Sequence, residues 1–140
     1  MLDQKIMRAA LVITLVFGAS SCSYTEILKS ESELIRFAPI PEEVETIALT
    51  GLANGRLEMS GGCFRLRSDQ GDLATVVWPN HFVAIKRGQT EGVYDPRTGR
   101  SLYVGDHASL PGGAVTLDGH LLNREAALRC GGPYLSADEI

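Results

Sequence analysis

The sequence predicts a mainly β fold: an OB-like barrel, closed or partly open, of five to seven short strands, after an N-terminal signal helix and tether. Three observations point there. Fourteen of the 15 glycines fall between Gly51 and Gly132, a density that suits tight turns and weakens helix interiors. Short apolar or alternating runs recur through that span, separated by Gly, Pro, Asn and Asp. A single stretch, 121–129, has the composition of a helix, and it is short.

The body, 42–140, begins with TIALTG (46–51) and RLEMSG (56–61), with Asn54-Gly55 expected as the turn between two strands. CFRLRS (63–68) alternates, putting Phe64 and Leu66 on one face and Arg65 and Arg67 on the other. Gln70-Gly71-Asp72 turns the chain into LATVVW (73–78), whose nearly unbroken apolar run fits a central strand buried on both sides. FVAIKR (82–87) follows the break at Pro79-Asn80. In GVYDPRTGRSLYVG (92–105), two apolar strands flank Asp95-Pro96-Arg97-Thr98-Gly99, where proline presets φ and glycine takes the left-handed position. The spacing predicts a hairpin there, one more strand at AVTL (114–117), and the helix at LLNREAALR. Internal repeats and low-complexity tracts are absent from the sequence.

The N-terminus has another character. MLDQKIMR carries Lys5 and Arg8, AALVITLVFGA is apolar, and Ser20, Ser21 and Cys22 follow. That is the basic, apolar and small-residue order of a secretory signal, and the apolar run falls short of the ~20 residues that span a bilayer. Met7 before Arg8 also reads as a start. The site Ala19-Ser20-Ser21-Cys22 resembles the lipobox of bacterial lipoprotein precursors, with Ala19 where leucine is usual. The resemblance implies cleavage before Cys22, acylation of its thiol and then of its new amino group, and Ser23 at the next position implies the outer membrane rather than the inner. Two or three acyl chains hold a protein stably where one holds it marginally. The competing reading is ordinary cleavage after Ser21, releasing a soluble secreted protein. The domain plan is therefore a signal over 1–21, the lipidated Cys22 and a tether with some local order over 22–41, and the β domain over 42–140.

Export leaves Cys63 and Cys130, an even pair in an oxidising compartment, expected as a disulfide. The functional alternative is a zinc or copper site using both thiolates with a histidine. The fragments GGCFRL, VVWP, VGD and CGGPY are similar to those of small secreted proteins and lipoproteins of bacteria over residues 50–135, a resemblance that implies no particular activity.

Charge narrows the partners. The chain carries −4, and removing 1–21 takes away Lys5, Arg8 and Asp3, leaving 11 basic against 16 acidic residues. Nucleic acid is therefore not an expected partner. Arg65, Arg67, Lys86 and Arg87 would suit an anionic envelope partner, such as lipid head groups, a glycan or another protein, if they lay on one barrel face; a solvated strand face is the ordinary reading. Asp106-His107 and Asp118-Gly119-His120 place carboxylates beside imidazoles, the groups a metal or proton relay needs, though turns are equally rich in Asp and Gly. Ser109 near His107 lacks the strand–turn–helix elbow of a nucleophile. Phosphate-loop, dinucleotide and zinc-protease motifs are absent from the sequence, so no cofactor and no catalytic residue is expected. The expected role is a lipid-anchored binding or scaffolding module; the alternative is a small metal-dependent or hydrolytic enzyme using His107, His120, Asp106 or Asp118.

Overall fold

The computed structural model describes residues 27–38, 51–116 and 121–140. The signal segment, Cys22, Asp118, His120 and most of the first expected strand lie outside them.

Among the described residues, ten strands and one helix follow in chain order. They are β1 (Ile27–Lys29), β2 (Gly51–Ser60), β3 (Cys63–Ser68), β4 (Leu73–Val77), β5 (Val83–Arg87), β6 (Thr90–Asp95), β7 (Arg100–Tyr103), β8 (His107–Gly112), β9 (Ala114–Val115), α1 (Arg124–Cys130) and β10 (Tyr134–Ser136). The fold is mainly β, as expected. The strands form two sheets, ordered β1-β5-β6-β7 and β8-β2-β3-β4-β10-β9, and among the described residues these are not closed into a barrel.

The alternation read in the sequence decides how the sheets pack. Leu57, Phe64, Leu66, Val76 and Leu110 of the wide sheet meet Ala84, Val93 and Leu102 of the narrow one, with Trp78 and Phe82 between them. Each fully buried Leu or Phe contributes about 1.5–3 kcal/mol. The opposite face of the wide sheet is covered too. There Cys63 and Val77 pack with Ile35 and with Ala126, Ala127 and Cys130 of α1. Val76 and Val77 thus serve opposite faces of β4, which explains why that strand is apolar without alternation.

Asn54-Gly55 is not a turn. β2 runs straight through it, pairing Gly55 with Ser68 of β3 and with Ala108 of β8. The Cα of Gly55 passes so close to β3 that a Cβ would lie 2.2 Å from the Arg67 carbonyl oxygen. Glycine is there for close backbone approach, not for a reversal.

Residues 27–38, within the stretch expected as a tether, add to the body. β1 extends the narrow sheet along β5, and Leu34 and Ile35 are buried. Trp78 N–H then donates to Ile35 O at 2.8 Å and Phe37 N–H to Trp78 O at 3.0 Å.

Candidate functional site

Among the described residues, those singled out in the sequence do not converge on one place.

Cys63 and Cys130 form a disulfide, with Cα atoms 5.8 Å apart across a sequence separation of 67. It joins the start of β3 to the end of α1. The face of β3 that carries Cys63 also carries Arg65, whose guanidinium donates to the Cys130 carbonyl. Thr75 Oγ1 donates to Gly131 O at 2.6 Å, and Tyr134 Oη donates to Ala127 O at 2.9 Å. The last turn of the helix and the chain after it are thus hydrogen-bonded from β3, β4 and β10. With both thiols in the bridge, neither is a thiolate for a metal.

His107 and His81 each place a ring nitrogen against an aspartate. His107 Nε2 lies 2.9 Å from Asp69 Oδ1, tying the start of β8 to the turn between β3 and β4 on an exposed surface. Its sequence neighbour Asp106 turns away and accepts the backbone N–H of Tyr103 at 2.9 Å. His81 Nε2 sits 3.2 Å from Asp95 Oδ1. Asp95 is 2% exposed at the mouth of the β6–β7 hairpin, and its carboxylate also accepts Arg97 N–H and Thr98 Oγ1–H. Burial opposes its charge, but those two donors and His81 outweigh burial and hold the carboxyl below its ordinary range. Ser109 Oγ donates to Asn54 Oδ1. No group of three or more His, Cys, Asp or Glu is arranged to hold a metal ion among the described residues.

The four cations do not form one stripe. Arg65 and Arg67 belong to β3 in the wide sheet, Lys86 and Arg87 to β5 in the narrow one. Arg67 Nε donates to Glu58 at 2.7 Å, Lys86 Nζ lies 3.7 Å from Glu91, and the Arg87 guanidinium stacks 3.9 Å above the Tyr103 ring. Trp78 is fully buried and stacks on Phe82, so it is core rather than a ligand platform.

Sequence reasoning passed over β1. Ile27 and Leu28 are 56% and 55% exposed on an edge strand that borders Lys86 and Arg87. The signal is two adjacent aliphatic residues shortly after Cys22, in the stretch expected as a tether with some local order. No helix among the described residues is long and apolar enough to cross a membrane. Compared with known proteins, the chain matches no family model, no curated protein and no solved structure.

Proposed function

We propose that the chain is an exported protein held to the bacterial cell envelope by lipid on Cys22, at the periplasmic face of the outer membrane, and that its β body binds or scaffolds an envelope partner. The observation that carries this reading is the Cys63–Cys130 disulfide. Such bridges persist in oxidising compartments, and this one uses two of the three cysteines. The third then stands alone at the end of a signal-like segment, where a thiol has a purpose if it is acylated. A non-catalytic role is supported by the aspartate contacts of His81 and His107, each of which joins two separate backbone segments.

The body is read as a partly open barrel of the OB kind. Backbone bonds made by the two segments that pass from one sheet to the other support this. Leu57 N–H donates to Asp106 O at 2.9 Å and Gly105 N–H to Leu57 O at 2.8 Å, beside the end of β7. On the other side, the chain after β1 crosses from β5 to pair with Trp78 after β4.

The test is the intact mass of protein recovered from bacterial membranes, before and after reduction. A chain beginning at Cys22 with added acyl groups, gaining two hydrogens on reduction, is expected. A soluble species without lipid overturns the anchor. For the body, a His107→Ala/His120→Ala variant is expected to keep its envelope role; loss of that role with fold intact favours the metal-dependent or hydrolytic enzyme.

A further inference from the structure

We propose that the outer edge of β1, which pairs only with β5 among the described residues, together with the β5–β6 turn beside it, rests on the surface of the membrane, its partner being the headgroup layer of a bilayer that contains anionic phospholipid. The inference rests on acylation of Cys22 and adds to it the orientation of the body.

The first argument is chain length. Four residues, 23–26, separate Cys22 from Ile27. Whatever path they take, five Cα–Cα steps reach at most ~18 Å. A body of ~100 residues has a radius of gyration of about 13 Å, so such a leash is shorter than the body is wide. An acylated Cys22 therefore keeps the N-terminal end of β1 near the headgroups, while the opposite end of the same sheet is directed away.

The second argument is what stands at that end. β1 runs antiparallel to β5, with Ile27 opposite Arg87 and Leu28 opposite Lys86, so its first residue lies beside the β5–β6 turn. Successive strand residues point to opposite faces, and Ile27 and Leu28 are nonetheless both more than half exposed. The apolar surface is thus the edge itself. Lys29 and Arg87 are exposed, and Lys86 is half-buried. The acid on the neighbouring strand, Glu91, is engaged by the Ser30 hydroxyl and by Lys86. Glu31 and Glu33 follow farther along the chain, toward Trp78. Glu26 precedes Ile27 in the sequence, but Lys29, Lys86 and Arg87 outnumber it, so a body with excess negative charge presents net positive charge with two aliphatic side chains at the end nearest its anchor, the combination that interfacial binding uses. At headgroup depth, water and phosphate oxygens satisfy the unpaired backbone of an edge strand, which the hydrocarbon layer would not.

The lipid surface is favoured over a second copy of the chain by size. A three-residue edge falls far below the ~1,000 Å² that a stable protein interface needs. Contact with a bilayer that already holds the anchor is effectively intramolecular, so a small surface suffices.

The experiment uses the acylated full chain, its mass verified, in vesicles of phosphatidylethanolamine and phosphatidylglycerol brominated near the top of the acyl chains. Ile27→Trp and Leu28→Trp each add a reporter at an exposed position, and Arg97→Trp adds one at the β6–β7 turn, at the far end of the sheet. Trp78, fully buried in the core, gives a constant background. Bromine is expected to quench residues 27 and 28 several-fold more than residue 97. Adding Lys29→Glu/Arg87→Glu, or raising the salt, is expected to reduce that quenching. Equal quenching at all three positions in acylated protein overturns the docking and leaves the anchor standing. A signal at 27 and 28 that ignores bromine but follows protein concentration assigns the edge to a second copy and also overturns it. A mass without acyl groups overturns both anchor and docking.

Discussion

His81 and Asp95 are joined across a gap in the fold: Nε2 of the one lies 3.2 Å from Oδ1 of the other, linking the loop before β5 to the turn after β6. The carboxylate also organises its own turn, accepting Arg97 N–H at 2.9 Å and Thr98 Oγ1–H at 3.0 Å. Burial alone would raise its pKa, but these partners lower it. A carboxyl that titrates lower folded than unfolded stabilises fully above the unfolded value of about 3.9 and loses that contribution as pH falls through the folded value. Thermal or urea unfolding from pH 7 downward is therefore expected to show stability falling in the acid range. Asp95→Asn should cost about 1–3 kcal/mol at neutral pH and remove part of the acid dependence. An unchanged acid slope in that variant would assign the dependence to other carboxylates.

Gly55 offers a steric test. Its Cβ would lie 2.2 Å from a backbone oxygen, which cannot swing aside as a side chain can. Gly55→Ala is expected to cost about 1–3 kcal/mol or more, as forced overpacking does. Gly99 is the comparison, since it has a φ of 75° in the hairpin turn and nothing within 4 Å of its would-be Cβ. Gly99→Ala carries only the left-handed penalty of about 1–2 kcal/mol. Urea midpoints of the two variants should fall in that order.

The same glycine shows where the sequence was legible and where it was not. Asn-Gly is among the strongest hairpin signals because both residues tolerate positive φ. The signal concerns the dipeptide alone, while the reason for Gly55 is the Arg67 carbonyl of the next strand, β3, which passes against it. The 95–99 hairpin, by contrast, was readable because its determinants, Pro96, Gly99 and the Asp95 carboxylate, lie within the turn itself. Phe64 and Leu66 against Arg65 and Arg67 were readable by alternation alone. β8 was not: it carries Pro111, which donates no ladder bond and is tolerated on an edge strand, where its carbonyl accepts Asp138 N–H at 2.8 Å. β10 is three residues long and parallel to β4, a pairing set by the helix that returns the chain there and not by any local pattern. Of the candidate site residues, the cysteine pair followed from compartment and parity. The cation stripe failed because strand alternation cannot say which sheet a strand joins.

Removing the disulfide is expected to be the most costly change outside the core. By loop entropy, a bridge across 67 residues is worth about 4 kcal/mol, an upper guide. The bridge also fixes α1 against Val77 and Ile35. Cys63→Ser/Cys130→Ser, or reductant on the native chain, should lower the unfolding free energy by about 3–4 kcal/mol with the β spectrum retained at low temperature. Loss below about 1 kcal/mol would mean that Arg65, Thr75 and Tyr134 hold the C-terminal segment without it.

Those hydrogen bonds set up a contrast between neighbours on one strand. Arg65 and Arg67 share a face of β3, yet Arg65 reaches the Cys130 carbonyl from a half-buried position, whereas Arg67 meets Glu58 in the open. A charged donor to a carbonyl that helps close the helix end is worth about 1.5–3 kcal/mol, and its removal also leaves that carbonyl short of a partner. The exposed pair is screened by water and salt. Arg65→Ala is therefore expected to shift the urea midpoint clearly, and Arg67→Ala hardly at all in moderate salt. If an anionic envelope partner is recognised through this face, the two variants should instead resemble one another in binding, since each removes one cation. A loss of binding that tracks the Arg65 stability defect, with Arg67→Ala binding normally, would place the partner elsewhere on the body.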